Sequence, residues 1–148
     1  RWGNITDFKA FDLITPNERE LRFSLADQDS SISDLTRELV EQTKFKNLIL
    51  KLGERGIVSL AYKGIQSETI TLPSFVNKVV DSTGTGDALL SYATLSLVAT
   101  KSLTIASILG SFAAACECES DGNVDIKIEQ IIKKINSVEK TSSYKVHK

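Results

Sequence analysis

The sequence contains few of the residues that mark particular classes of protein. It has no methionine, two prolines, two cysteines, one tryptophan and one histidine among 148 residues. A lone histidine, His147, argues against a histidine-based catalytic triad. Cys116 and Cys118 stand too close together for an ordinary disulfide framework. We therefore expect free thiols in a reducing compartment, and we predict the cytoplasm as the location.

Long apolar runs and an excess of one charge are also missing. No stretch approaches the roughly 18 apolar residues of a membrane-spanning helix, so no membrane is expected as a partner. The formal net charge of −1 at pH 7 gives no electrostatic reason to expect nucleic acid either. Because the chain begins with Arg1 and lacks methionine, we also expect it to be a piece of a longer protein.

What is present is typical of a globular domain, with 41% hydrophobic and 25% charged residues. The length allows one compact domain, and we predict a single domain over 1–148 with a flexible tail at 141–148. Strands alternate with helices in the first half and helices cluster in the second, which predicts an α/β fold with a sheet flanked by helices. The predicted strands are 11–15, 47–52 and a pair within 56–73 joined near Lys63 and Gly64; the predicted helices begin at 17 and cover 32–45, 87–100, 103–115 and 128–138.

The segment DSTGTGDALL, residues 81–90, carries the clearest chemical signal. The start of a helix presents unpaired N–H groups and a partial positive charge, so it can seat an anion. Gly84 and Gly86 would let the amides of residues 84–87 approach a phosphate. A carboxylate beside a phosphate is useful if it accepts a proton from an attacking hydroxyl, and Asp87 is placed for that role.

An ordinary capped helix explains the same residues, because Ser, Thr and Gly before a helix and Asp in its first turn are common helix-start signals. Spacing alone leaves both interpretations open. Two other phosphate motifs do not fit. The Walker A lysine is absent, and the third glycine of the dinucleotide fingerprint is replaced by Leu89.

Three segments in order resemble the ribokinase-like (PfkB) carbohydrate kinases. DSTGTGD is similar to the family signature D-[ST]-T-G-A-G-D, ITPNERE is similar to the segment carrying Asn-x-x-Glu, and KLGERG is similar to the nucleotide loop T-x-G-x-x-G. The resemblance covers about residues 11–135 and implies the C-terminal part of a three-layer α/β/α fold. It implies an enzyme that transfers the γ-phosphoryl group of ATP to a hydroxyl of a sugar or sugar phosphate.

The resemblance also implies a role for each matching position. Asp87 is the implied catalytic base, and the implied anion hole is Gly84, Thr85 and Gly86. Asn17 and Glu20 organise the phosphates and Mg²⁺, with Glu20 acting through water. The implied nucleotide contacts are Lys51, Gly53, Glu54, Arg55, Gly56 and Ser111, and the implied monovalent-cation site, which would hold K⁺, includes Asp81 and Thr83.

Several departures from the family pattern qualify these expectations. Thr85 replaces the usual alanine and Lys51 the usual threonine. Residues 116–122 are expected to form an acidic loop with free thiols and no metal site, which puts half of the monovalent-cation site in doubt. The family's N-terminal half, which supplies most sugar contacts, has no counterpart in this chain. The fragment alone is therefore expected to be inactive, the acceptor and oligomeric state stay open, and a non-catalytic nucleotide-binding regulatory or assembly module is the alternative.

Overall fold

A computed structural model describes residues 4–63, 66–122 and 124–145. The chain divides into two compact units, Arg1–Leu72 and Pro73–Lys148. Each unit contains its own cluster of buried apolar side chains. The expectation of a single domain over 1–148 stays a prediction.

The first unit combines two helices with an antiparallel sheet of three strands, in the order β1-β2-β3. Ile49 of β1 lies opposite Ser59 of β2, which in turn lies opposite Ile70 of β3. The three strands confirm those predicted within 47–73, although the predicted join at Gly64 falls outside the described residues. The elements are a 3₁₀ turn Ile5–Asp7, α1 Glu18–Leu25, α2 Ile32–Thr43, β1 Asn47–Lys51, a 3₁₀ turn Gly53–Arg55, β2 Ile57–Lys63 and β3 Gln66–Leu72.

The strand predicted over 11–15 is reduced to two isolated parallel bridges, which join Ile14 to Leu48 and Asn17 to Lys51. The segment does run beside β1, since the amide of Ile14 donates to the carbonyl of Asn47 at 3.0 Å. Pro16 interrupts a regular ladder because proline has no N–H to donate. The second bridge places the start of α1 next to the end of β1.

The core of the first unit lies between the two helices and the sheet. Leu21 of α1, Leu35 and Leu39 of α2, and Leu48 and Leu50 of β1 are completely buried. Burial of this kind contributes roughly 1.5–3 kcal/mol for each large apolar side chain. The core therefore fixes α1 against β1, and the candidate site residues lie at the ends of these two elements.

The second unit is a group of three helices, α3 Thr85–Thr100, α4 Leu103–Cys118 and α5 Ile128–Lys145. α3 and α4 pack closely at Gly110, where an added Cβ would lie 2.9 Å from the carbonyl oxygen of Leu89. Among the described residues, no helix has the length and apolar character needed to cross a lipid bilayer.

The second unit departs from the sequence pattern in three places. α4 continues through Cys118, so Cys116 and Cys118 lie on a buried helix and not in a loop, although both thiols are free as expected. The Ala and Leu residues of the predicted helix 87–100 are typical of a buried helix, but Leu95 of α3 is 68% exposed. α5 continues to Lys145, so residues 141–145 are helical; the predicted tail beyond them, 146–148, falls outside the described residues. Helix lengths were misjudged because no Pro or Gly follows Ala115 or Val138 to end the pattern.

Candidate functional site

The start of α1 is closed by its own side chains. The Asn17 Oδ1 accepts a hydrogen bond from the amide of Glu20, and a carboxylate oxygen of Glu20 accepts one from the amide of Asn17, both at 2.8 Å. This is a reciprocal capping box, which satisfies two backbone donors that a helix would otherwise leave unpaired. The two residues implied to organise phosphates and Mg²⁺ therefore already have a structural role.

The turn between β1 and β2, residues 52–56, is closed by its own backbone. The amide of Leu52 donates to the carbonyl of Gly56 at 2.8 Å, and the amide of Gly56 donates to the carbonyl of Gly53 at 3.0 Å. Gly53 and Gly56 have φ angles of +62° and +85°, which a residue with a Cβ adopts only with strain. The turn leaves Glu54 and Arg55 exposed.

An open cleft of about 540 Å³ lies where the start of α1 meets the end of β1. Asn17, Lys51 and Gly53, three of the predicted nucleotide contacts, line this cleft. The amide of Lys51 donates to the carbonyl of Pro16 at 2.9 Å, which holds the lysine at the wall. The remaining lining residues are Glu18, Arg19, Arg22, Gln28 and Leu52.

Sequence reasoning missed the charged residues of this cleft that belong to α1. Glu18 and Arg22 form an ion pair one helical turn apart, at 2.9 Å. Arg19 lies over the ring of Phe23, 5.8 Å from the ring centre. The signal was available, because an acidic residue four positions before an arginine is the favourable orientation for a helix pair.

The start of α3 is left open. Gly84 precedes the helix with a φ of +78°, and no side chain caps it. The amide of Asp87 donates to the carbonyl of Gly84 at 2.9 Å, and the amide of Thr85 makes a long contact of 3.4 Å with the carbonyl of Ser82. Within the described parts of the chain, the amides of Gly84 and Gly86 have no acceptor. Two amides without an acceptor therefore remain at this helix start, fewer than the four expected.

The Asp87 side chain is exposed in the first turn of α3. No hydrogen bond or ion pair joins its carboxylate to any other part of the chain that the structure describes. The turn is thus not sealed inside the core, and its carboxylate is free to meet a molecule from solution. The Thr85 amide is directed to the carbonyl of Ser82, and its hydroxyl oxygen is buried without a hydrogen-bond partner among the described residues.

Backbone hydrogen bonds join the turn before α3 to the end of α4. The amides of Val80 and Asp81 both donate to the carbonyl of Cys118, at 2.9 and 3.2 Å. A carboxylate oxygen of Asp81 accepts from the amide of Thr83 at 2.8 Å. These hydrogen bonds from Thr83 lower the pKa of Asp81 from its ordinary value, because they stabilise the ionised carboxylate.

The described residues fit a monovalent cation only in part. The Asp81 carboxylate is the kind of oxygen ligand that such an ion needs. The acidic residues at the end of α4 have internal partners. Glu119 binds Lys134 and accepts from the amide of Asn77 at 2.6 Å. Glu117 is 1% exposed and accepts from the amide of Val124, while its second oxygen has no partner among the described residues.

A direct cage for Mg²⁺ is not built by the described residues, since they contain no group of three or more His, Cys, Asp or Glu side chains suited to a metal ion. Contact through water fits better, because one carboxylate oxygen of Glu20 stays outside the cap and can accept from a metal-bound water. Ser111 is 8% exposed on α4, and its hydroxyl is buried without a partner. Its predicted contact with the nucleotide stays a prediction.

The predicted site residues thus form two groups. The structure brings Asn17, Glu20 and the Lys51–Gly56 turn together in the first unit, and it brings Asp81, Thr83 and residues 84–87 together in the second. The model of the pfkB family of carbohydrate kinases matches residues 7–130, which include both groups. The chain belongs to the pfkB family of carbohydrate kinases.

Curated relatives of this pfkB chain include the bifunctional protein HldE of Helicobacter pylori strain G27, which is 33% identical over 122 residues. The match covers 80% of this chain and 26% of the relative. The protein of the same name from Nitrobacter hamburgensis is 28% identical and is matched over 90% of this chain and 27% of its own length. The chain therefore spans about a quarter of the curated relatives that it matches.

Solved structures place the chain in the ribokinase fold. The ribokinase of Thermotoga maritima matches with a TM-score of 0.73 and 25% identity, over 84% of this chain and 42% of that one. The phosphofructokinase-2 of Escherichia coli in complex with potassium matches with a TM-score of 0.77 and 19% identity, over 90% and 43%. The α/β, ribokinase-like fold predicted from the sequence is confirmed.

Proposed function

We propose that this chain supplies the ATP site, the anion hole and the catalytic base of a sugar kinase. The reaction is transfer of the γ-phosphoryl group of ATP to a hydroxyl of a sugar or sugar phosphate. Family membership supports a carbohydrate kinase type. The related ribokinase of Arabidopsis thaliana was solved with ribose and ATP, which supports these two classes of ligand.

The observation that carries the proposal is the open start of α3. The helices α1, α2 and α4 each begin with an Asn or Ser side chain that accepts a backbone hydrogen bond, whereas α3 begins at Gly84 without one. A buried or half-buried helix start without a cap leaves donors that an anion can satisfy. The exposed Asp87 carboxylate lies in the first turn beside those donors, where it could accept a proton from a second reactant bound next to the anion.

In this proposal the amides of Gly84 and Gly86 donate to the phosphoryl oxygens as charge develops on them. The Asp87 carboxylate accepts the proton of the attacking hydroxyl and orients that hydroxyl towards the phosphorus. The hydroxyl oxygen of Thr85 is buried, so the proposed anion would contact the backbone at this position and not the side chain.

The cleft at the start of α1 is proposed to bind nucleotide phosphates. The side chain of Lys51 has no ion-pair partner among the described residues, so its charge can meet a phosphate, and Gly53 leaves open space above the turn. Bound Mg²⁺ would neutralise part of the phosphate charge. Glu20 and Asn17 would orient waters around it, and Asp81 and Thr83 would face a K⁺ ion.

Replacement of Asp87 by Asn in the complete kinase tests the proposed base. We expect turnover to fall about 10²–10⁴-fold, the usual contribution of a general base, because the amide cannot accept the proton. Affinity for Mg-ATP should change little. The measurements are ADP release with a panel of sugars and sugar phosphates, and calorimetric titration with Mg-ATP.

Glu41→Gln is the control, because it removes one exposed carboxylate from α2, outside both groups of site residues. An Asp87→Asn enzyme with nearly full turnover would show that Asp87 is not the base. Mg-ATP binding without any phosphoryl transfer in the unmodified complete protein would favour the non-catalytic nucleotide-binding module.

A further inference from the structure

The carboxylate of Glu18 lies between two arginines of the first unit. One oxygen, Oε1, accepts from Nε and Nη2 of Arg22 at 3.0 and 2.9 Å. The other oxygen, Oε2, forms an ion pair with Nη2 of Arg55. Arg55 is 37 residues further along the chain, in the turn between β1 and β2. A single side chain therefore joins the first turn of α1 to the predicted nucleotide turn.

Arg22 holds this carboxylate in a fixed orientation. Its Nη1 also donates to the carbonyls of Gln28 and Ser30, at 3.1 and 3.0 Å. The Arg22 side chain is 19% exposed and that of Glu18 is 25% exposed, so both are mostly buried. Charge-assisted hydrogen bonds with a guanidinium are directional. The hydrogen bonds from Arg22 to Oε1 therefore fix the direction in which Oε2 of Glu18 faces Arg55.

Leu52 packs the base of the turn of residues 52–56 against the core of the first unit, whereas Gly53, Glu54 and Arg55 are exposed. The backbone hydrogen bonds of the turn run between its own residues, from Leu52 to Gly56, from Arg55 to Leu52 and from Gly56 to Gly53. Gly53 and Gly56, at the two ends of the 3₁₀ turn, both have positive φ angles. A Cβ added to Gly53 would have no other atom of the described residues within 4 Å. A turn of this kind can move as a unit about its glycines.

We infer that Glu18 is a positioning residue, which holds the Lys51–Gly56 turn through Arg55 at the wall of the nucleotide cleft. The inference rests on the proposed function for the part that concerns the nucleotide. Arg55 is 62% exposed, and an exposed ion pair contributes little to global stability. The contact therefore acts on where the turn lies and leaves the free energy of unfolding almost unchanged.

Glu18→Gln separates these effects because glutamine keeps the shape of the side chain but has only one accepting oxygen. Arg22 makes two hydrogen bonds to one oxygen and is expected to keep the remaining acceptor, so that exposed Arg55 faces the NH₂ group and loses its acceptor. The control is Asp34→Asn. Asp34 is likewise an acidic residue in the first turn of a helix, paired with Arg37 at 3.1 Å, so the control removes the same helix-dipole interaction and an arginine pair away from the cleft.

The first measurement needs no nucleotide. Amide hydrogen exchange, followed by NMR on the 148-residue chain, should become roughly threefold to fivefold faster at Leu52, Arg55 and Gly56 in Glu18→Gln. Exchange in β1 and β2 should stay unchanged, as should the melting temperature. Asp34→Asn should leave exchange at residues 52–56 unchanged. Equal exchange at these three amides in both variants would overturn the inference.

The second measurement is calorimetric titration with Mg-ATP. Glu18→Gln and Arg55→Gln should each weaken binding roughly threefold to fivefold, and the double variant should be no weaker than the weaker single variant, because both substitutions remove the same contact. Additive losses would contradict positioning through this pair. An unmodified chain that fails to bind Mg-ATP would contradict the proposed function instead, and the exchange measurement would still decide the role of Glu18.

Discussion

The two helix starts that carry the predicted site differ in how their amides are satisfied. α1 begins with Asn17, whose side chain and that of Glu20 close the helix reciprocally. α3 begins with Gly84, which has no side chain to close it. Both segments are rich in polar residues, so composition does not separate them. The hydrogen bonds do separate them: side chains accept from backbone amides at the start of α1, whereas no side chain of the described residues does so at the start of α3.

The comparison shows that residues of a family motif can have a structural role in capping a helix as well as a proposed role in binding a ligand. In this chain the Asn-x-x-Glu segment caps α1, independently of its proposed role in nucleotide binding. The Gly-Thr-Gly-Asp segment makes no side-chain cap with the residues that the structure describes. The three predictions that follow probe this difference, from the largest expected effect to the smallest.

Gly110→Ala should destabilise the second unit by roughly 1–3 kcal/mol, as overpacking does in a close helix contact. The new Cβ would lie 2.9 Å from the Leu89 carbonyl oxygen and 3.1 Å from the Ala93 Cβ, and both belong to α3. Urea denaturation followed by circular dichroism measures the change. Thr94→Ala, on the exposed side of α3, should stay within about 0.5 kcal/mol. An equally small change for Gly110→Ala would mean that packing against α4 does not hold the open helix.

Asn17→Ala should reduce the free energy of unfolding by about 1 kcal/mol, the usual effect of losing a helix cap. Asn17→Asp should retain stability, because its carboxylate can still accept from the amide of Glu20. The same aspartate should weaken Mg-ATP binding, since it adds a negative charge at the cleft. Urea denaturation and calorimetry measure the two effects. If Asn17→Ala costs nothing, the reciprocal cap is not what closes α1.

Acidification should loosen the turn before α3. Hydrogen bonds from Thr83 lower the pKa of Asp81 below its ordinary value of 3.8. A lowered folded-state pKa means that the stabilisation is present above pH 3.8 and is lost as the pH falls through the lower, folded value. The Thr83 amide resonance should therefore shift only below pH 3.8, and this shift should be absent in Asp81→Asn. Titration of that resonance at or above 3.8 would contradict the hydrogen bond.

Much of the fold could be predicted because its signals are local. Short apolar runs ending at Gly53 and Pro73 fixed the positions of β1, β2 and β3, and the Gly-Thr-Gly-Asp segment marked the start of α3. The strand predicted over 11–15 was wrong in extent, because a missing N–H at Pro16 breaks a ladder that hydrophobicity alone suggests. The sequence therefore predicted which segments are helices and strands, but it did not predict that the hydrogen bonds beside β1 would be interrupted at Pro16.

The parts of the site that could not be predicted depend on contacts between distant segments. Glu18 and Arg55 are 37 residues apart, and nothing in their local sequences indicates that they meet. Cys116 and Cys118 read as part of an acidic loop because Glu117 and Glu119 surround them. Glu117 is instead buried, with one oxygen bound to the amide of Val124. A buried carboxylate of this kind is rare enough that composition argues against it.

The burial of Cys116 gives the molecule an internal reporter. The thiol belongs to the same apolar cluster as Ile131, Ile135 and Val138 of α5, and burial raises its pKa. Cys116 is 7% exposed with α5 in place, and alkylating reagents attack only thiolate that they can reach. The rate constant for alkylation of Cys116 should therefore report how often α5 separates from the rest of the second unit.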